Sequence, residues 1–257
     1  MTSAHPPIGP SPFGHSQTIV QLYHELATHG FGAEDLRFLC RIHQHGVWLF
    51  AGQLRPSGRP FTCHTVGTAS VVARHGGSLT EIAAALLHAA YEFGDSGSHV
   101  PSAGGRRRRD LIAVAGEQVE AIVNAFYQYR WPTLIANIPV MDEFVAKCSE
   151  AEKSALFLRL CNDIEQLPDL PFSDHEVRQR WSGHKACFIA IAESLGRLDL
   201  AQLYDEGLQS ADEALGNIDV IEYPYVVSPA SYTKRLSARL REFAFNRLGA
   251  TGRRAGR

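Results

Sequence analysis

The stretch SLTEIAAALLHAAYEF, Ser78 to Phe93, decides how the chain is read. Ser78 or Thr80 supplies an N-cap oxygen and Glu81 stands in the first turn, which is how a helix opens. Ile82, Ala83, Ala85, Leu86, Leu87 and Ala90 then run apolar nearly all round. A helix with no polar face is a buried one, so this segment is expected at the centre of the core. His88 lies inside it and needs a partner, because a buried polar group without one costs about 1–3 kcal/mol. Glu92 follows four residues later, a spacing that puts both side chains on one helix face.

Outward from this segment the pattern stays helical. Toward the N-terminus, Ile19, Leu22, Tyr23 and Leu26 form one apolar stripe ended by Gly30, and Glu34 to Phe50 forms a second. Val66, Val71 and Val72 mark a third helix that stops at Gly76-Gly77, and His64 stands at its start. Toward the C-terminus, helices are expected from Arg106 to about Tyr129, Glu150 to Leu167, Asp174 to Leu195 and Leu198 to Leu215. Ile218 to Val227 is the one strand-like segment. No strand–helix alternation appears, so the class is all-α. The expected organisation is a flexible Pro-rich arm at 1–17 and a helical domain at 18–217. A C-terminal extension at 218–248 carries a basic amphipathic helix, and 249–257 forms a disordered tail.

The chain has 257 residues, 45% hydrophobic and 20% charged, an ordinary globular composition with room for a large core. No apolar run approaches the roughly 20 residues of a membrane span, and no signal-peptide pattern opens the chain. Five cysteines, odd in number and without a CxxC, argue for a reducing, cytoplasmic setting. The formal charge of −2 conceals a net +7 between Lys234 and Arg257. Nucleic acid is not the expected partner; a small-molecule substrate and a possible homodimer are what the family resemblance given below implies. Arg106 to Arg109 is a basic run read as a solvated helix start, with an anion site as the sharper option.

LRLCNDIEQLPDL, Leu158 to Leu170, sets Asn162 and Asp163 inside an otherwise apolar helix, although both are poor helix formers. One residue along a helix is a turn of about 100°, so the two are expected to point apart.

In order and spacing five blocks resemble the HD superfamily, and within it the RelA/SpoT-type alarmone-hydrolase domain and its small stand-alone relatives. They are His64, LLHAAYE (Leu86 to Glu92), GEQVEAIVNAF (Gly116 to Phe126), LRLCNDIEQLPDL and WSGHKACFIAIAESLGRLDLAQL (Trp181 to Leu203). The resemblance spans about Phe50 to Gly207. It implies an HD-like helical bundle with extra helices at both ends. It also implies a divalent metal, usually manganese, held by two histidines and two aspartates. His64 and His88 match the histidines. Ala89 and Asn162 stand where the aspartates belong, and Glu92 matches the catalytic glutamate. The expectation is therefore a degenerate site with no tightly bound cofactor, a weak manganese or iron being the alternative.

His64, His88 and Glu92 are the candidate catalytic residues, with Glu92 orienting a histidine or stabilising a developing cation. Asn162, Asp163, Tyr91, Arg55 and Arg59 are the candidate substrate-binding residues. The expected function is acid–base chemistry on a small molecule rather than standard alarmone hydrolysis. The alternative is a catalytically silent HD-like domain that binds a nucleotide-like ligand or a partner protein.

Overall fold

A computed structural model describes residues 14–215 apart from 56, 95–104 and 173–174. The expected strand-like segment, the basic helix and the tail lie outside the described residues, as do 1–13 of the arm.

Within the described residues the fold is all-α, with no strand beyond one isolated bridge between Leu54 and Pro60. The helices are α1 (Ile19–Thr28), α2 (Ala33–Phe50), α3 (Phe61–Arg74), α4 (Leu79–Leu87), α5 (Ala90–Phe93) and α6 (Arg106–Ala115). They continue with α7 (Glu117–Gln128), α8 (Trp131–Ile135), α9 (Met141–Lys147), α10 (Glu150–Gln166), α11 (His175–Ser194) and α12 (Leu198–Leu215). No helix here is long and apolar enough to cross a membrane.

Side-chain caps set several of the starts. Thr18, Ser78 and Ser149 each form a capping box, with Gln21, Glu81 and Glu152 answering three residues later. The core is one cluster built round α3, α4 and α10. α3 packs on α4 and on α10, and α10 packs on α7. Ile82 through Leu87 are all buried, as the apolar stretch requires. Each fully buried leucine there contributes roughly 1.5–3 kcal/mol.

Two helices end earlier than their patterns suggest. The helix expected from Arg106 to Tyr129 is two, because Gly116 adopts φ 88°, a left-handed conformation that side chains resist. The central apolar helix stops at Leu87. His88 and Ala89 form a turn, and α5 restarts at Ala90. His88 and Glu92 are therefore not on one continuous helix face.

The arm and one residue of the basic run differ from expectation, while Arg106, Arg108 and Arg109 are exposed at the helix start as expected. Ser16 is buried, its N–H donating to Ser70 Oγ at 3.0 Å and its hydroxyl to Glu25 at 2.7 Å, so the last residues of the arm are docked. Arg107 is buried as well, donating to the backbone carbonyls of Tyr91 at 2.8 Å and Gly94 at 2.6 Å. That residue braces the end of α5 and is neither a solvated charge nor an anion site.

Candidate functional site

His64 lies in the first turn of α3 and His88 just past the end of α4. Because α3 and α4 pack together, the two rings meet, Nε2 to Nε2, at 3.2 Å with planes at 81°. Their other nitrogens fix the tautomers. His64 Nδ1 lies 2.5 Å from Glu165 Oε2, and His88 Nδ1 lies 2.7 Å from the carbonyl oxygen of Ala85. A carbonyl can only accept. The Glu165 carboxyl is held down at about 2, despite its burial, chiefly by the His64 charge it would face, with His15 and Arg59 adding to the effect. It too only accepts. Both Nδ1 atoms therefore donate, and both Nε2 atoms present lone pairs to one another.

Burial, the largest cause for each ring, pushes both imidazoles below their ordinary value. Glu165 partly offsets this at His64, while the neighbouring His64 deepens it at His88. Both rings are neutral near pH 7. Two opposed lone pairs repel each other, and a proton shared between the rings would relieve that repulsion, while burial opposes the charge.

Glu165 was not among the candidate residues. It projects from α10 toward α3, fully buried, and Arg59 forms ion pairs with its Oε1 at 2.7 Å and with Asp169 at 3.1 Å, although neither contact has hydrogen-bond geometry. Arg59 thus sits behind the carboxylate and is not among the residues that line the cavity described below. Gly67, one turn after His64, makes room for this carboxylate. A Cβ there would lie 2.5 Å from Glu165 Oε1 and 2.9 Å from His15 Cδ2. Gly67→Ala is accordingly expected to destabilise the protein by about 1–3 kcal/mol, read as a lower midpoint in thermal melting. An unchanged midpoint would mean that the carboxylate is free to move.

His88, unlike His64, is among the residues that line a cavity of about 350 Å³. Its wall includes Arg55, Arg159, Arg180, Glu92, Asn162 and Asp163, with Trp131, Trp181 and Phe126 among its rings. The expectation that Asn162 and Asp163 point apart does not hold at the cavity, which both line. Asn162 Nδ2 donates to Asp163 Oδ1 at 3.1 Å. Asp163 Oδ2 is buried with no hydrogen-bond partner among the described residues. Burial pushes this carboxyl up to about 7, against the pull of Arg159 and the Asn162 amide. Arg159 lies over the Phe126 ring, 3.6 Å from its centroid, and donates to the Phe126 carbonyl at 2.7 Å. Burial lowers it to about 10, which leaves it charged at neutral pH. Arg55 reaches the wall by donating to Gln166.

Two further candidates take other positions. Glu92 sits half-exposed at the cavity rim, 3.6 Å from Arg130. It makes no hydrogen bond to His88; the carboxylate that orients the dyad is Glu165. Tyr91 is fully buried and its hydroxyl donates to Glu120 Oε1 at 2.5 Å, on the far side of α5 from the cavity wall. It is a core residue rather than a substrate contact.

The His64–His88 spacing would let two imidazoles share one ion bound at about 2.1 Å. The rest of the donor set does not fit the manganese that the resemblance implies, a hard cation that depends on carboxylate oxygens. Ala89 and Asn162 stand at the positions expected to supply them. Among the described residues no group of three or more His, Cys, Asp or Glu side chains forms a metal site.

No protein-family model matches this chain, and no curated protein matches it.

Proposed function

We propose that the protein is an enzyme acting on a small anionic molecule by acid–base chemistry, with His88 and His64 as its base and no tightly held metal. The observation that carries this reading is the pair of opposed Nε2 lone pairs at 3.2 Å, with tautomers locked by Glu165 and Ala85. A proton taken from a substrate carbon or hydroxyl would settle between the two rings. The Glu165 carboxylate would stabilise the cation so formed. Asp163, which holds its proton up to about neutral pH, would return one to a leaving group or a developing oxyanion. Arg55, Arg159 and Arg180 outnumber the two carboxylates on the same wall, which favours an anionic substrate. The HD-like architecture is part of this proposal and rests on the resemblance of the five sequence blocks.

The test is a turnover screen of phosphate- and carboxylate-bearing small molecules, nucleotides included, run alongside elemental analysis of protein purified without chelator. A hit is expected to fall about 10²–10⁴-fold in His88→Ala. Turnover that survives that change would remove the dyad from the mechanism, and stoichiometric metal would remove the metal-free part. Tight binding of a screened compound without turnover would favour the silent binding domain.

A further inference from the structure

Glu165 can orient His64 only if its own carboxylate is held still. Its two oxygens are used differently. Oε2 accepts from His64 Nδ1, while Oε1 lies within ion-pair reach of Arg59 at 2.7 Å and of His15 Nε2 at 3.3 Å, without hydrogen-bond geometry to either. His15 is not part of the helical bundle. It precedes α1, and its side chain is almost fully buried. Its neighbours fasten it there. Ser16 bonds Ser70 of α3 and Glu25 of α1, and Gln17 Oε1 accepts from Arg59 at 3.1 Å. Gly67 leaves the space that His15 and Glu165 share. The segment before the first helix therefore reaches into the buried side of the dyad.

We infer that His15 is a positioning residue of the site: with Arg59 it clamps Glu165 Oε1, so that Oε2 holds His64 in the Nδ1–H tautomer. Arg59 alone approaches Oε1 from one side only. A second polar contact from a different direction restrains its plane, and the orientation of the carboxylate sets which ring nitrogen of His64 is protonated. The functional meaning of this arrangement rests on the acid–base reading of the site, but its geometry can be read without any substrate.

The experiment is nitrogen NMR of the full chain carrying ¹⁵N-labelled histidine. His75, whose Nδ1 bonds Asp199 at 2.6 Å on the surface, serves as the internal control. In the wild type, His64 is expected as one tautomer with Nδ1 protonated. In His15→Ala the Nε2–H form is expected to rise to about one tenth or more of the population, the scale of losing one polar contact to a charged group. His75 should be unchanged, and His15→Gln, which keeps a donor, should restore the wild-type pattern. His15→Met keeps the bulk without the donor and gives the same reading if the alanine variant does not fold. An unshifted His64 in the alanine or methionine variant would overturn the inference and leave His15 as packing. A missing turnover with a shifted tautomer would instead count against the enzymatic reading alone.

Discussion

Glu165→Ala is expected to destabilise the protein by about 3–5 kcal/mol, the scale of breaking a buried ion pair by removing one partner. The loss arises because Arg59, His64 and His15 all turn to this one carboxylate. Arg59 would remain charged and mostly buried, with one carboxylate partner at Asp169 instead of two. For a protein of this size the midpoint of thermal unfolding should fall by roughly 6–20 °C. A change of only a degree or two would show that the ion pair does not hold the site together. The effect should also depend on pH. The Glu165 carboxyl is held down to about 2, so its stabilisation is present above the free-chain value near 4.5 and is lost as pH falls toward 2. The deficit of the variant should therefore shrink in strong acid. His64 and His88 act at higher pH. Their folded values lie below 6.5, so unfolding takes up protons and stability falls as pH drops beneath that value.

Asp163→Asn is expected to do the opposite and stabilise the protein, by about 4 kcal/mol at pH 8. The folded carboxyl titrates at about 7 against 3.8 in the free chain. Below 3.8 both states are protonated and nothing is lost. Between 3.8 and 7 the unfolded chain ionises while the folded one keeps its proton, so stability declines as pH rises through that window. Asparagine removes the ionisation and can still accept the Asn162 hydrogen bond. Its advantage should be less than half as large at pH 5 as at pH 8. Denaturant unfolding of both proteins at the two pH values measures this directly. If the variant is less stable than the wild type at pH 8, Asp163 is ionised and paired with Arg159. Its role as a proton donor then fails with it. The imidazoles and Asp163 impose opposite slopes over part of the same range, so the difference between variants is more informative than the wild-type profile alone.

Much of the fold was legible because local signals agreed with each other. Thr18, Ser78 and Ser149 cap helices whose apolar spacing then continues for several turns. α2, α10, α11 and α12 begin and end within a residue or two of their sequence patterns. The segment from Trp131 to Lys147 was not read, because Pro132 and Pro139 break it into pieces too short to show a period. The break at His88 and Ala89 left no mark either. Alanine is the best helix former, so local propensity does not mark the break.

The site was legible in part. His64 and His88 stood out, one at a helix start and one in an apolar run. Glu165 carries the same anomaly as Asn162 and Asp163, a polar residue in an apolar helix. Gly67, three residues after His64, was a second signal, since a residue without Cβ in a buried helix marks a close approach. Glu92 drew the role of orienting carboxylate because it was near His88 in sequence.

The sequence by itself determined the helical class, most helix ends and the two imidazoles, because capping, propensity and periodicity act within a few residues. Which carboxylate met which imidazole was decided only in the tertiary structure. His64 and Glu165 are 101 residues apart and are joined by the packing of α3 on α10. Their protonation states were decided there too. Burial and the charges of neighbouring helices hold Glu165 ionised and push Asp163, two residues earlier on the same helix, toward neutrality. No local pattern distinguishes those two acids; the direction each faces across the core does.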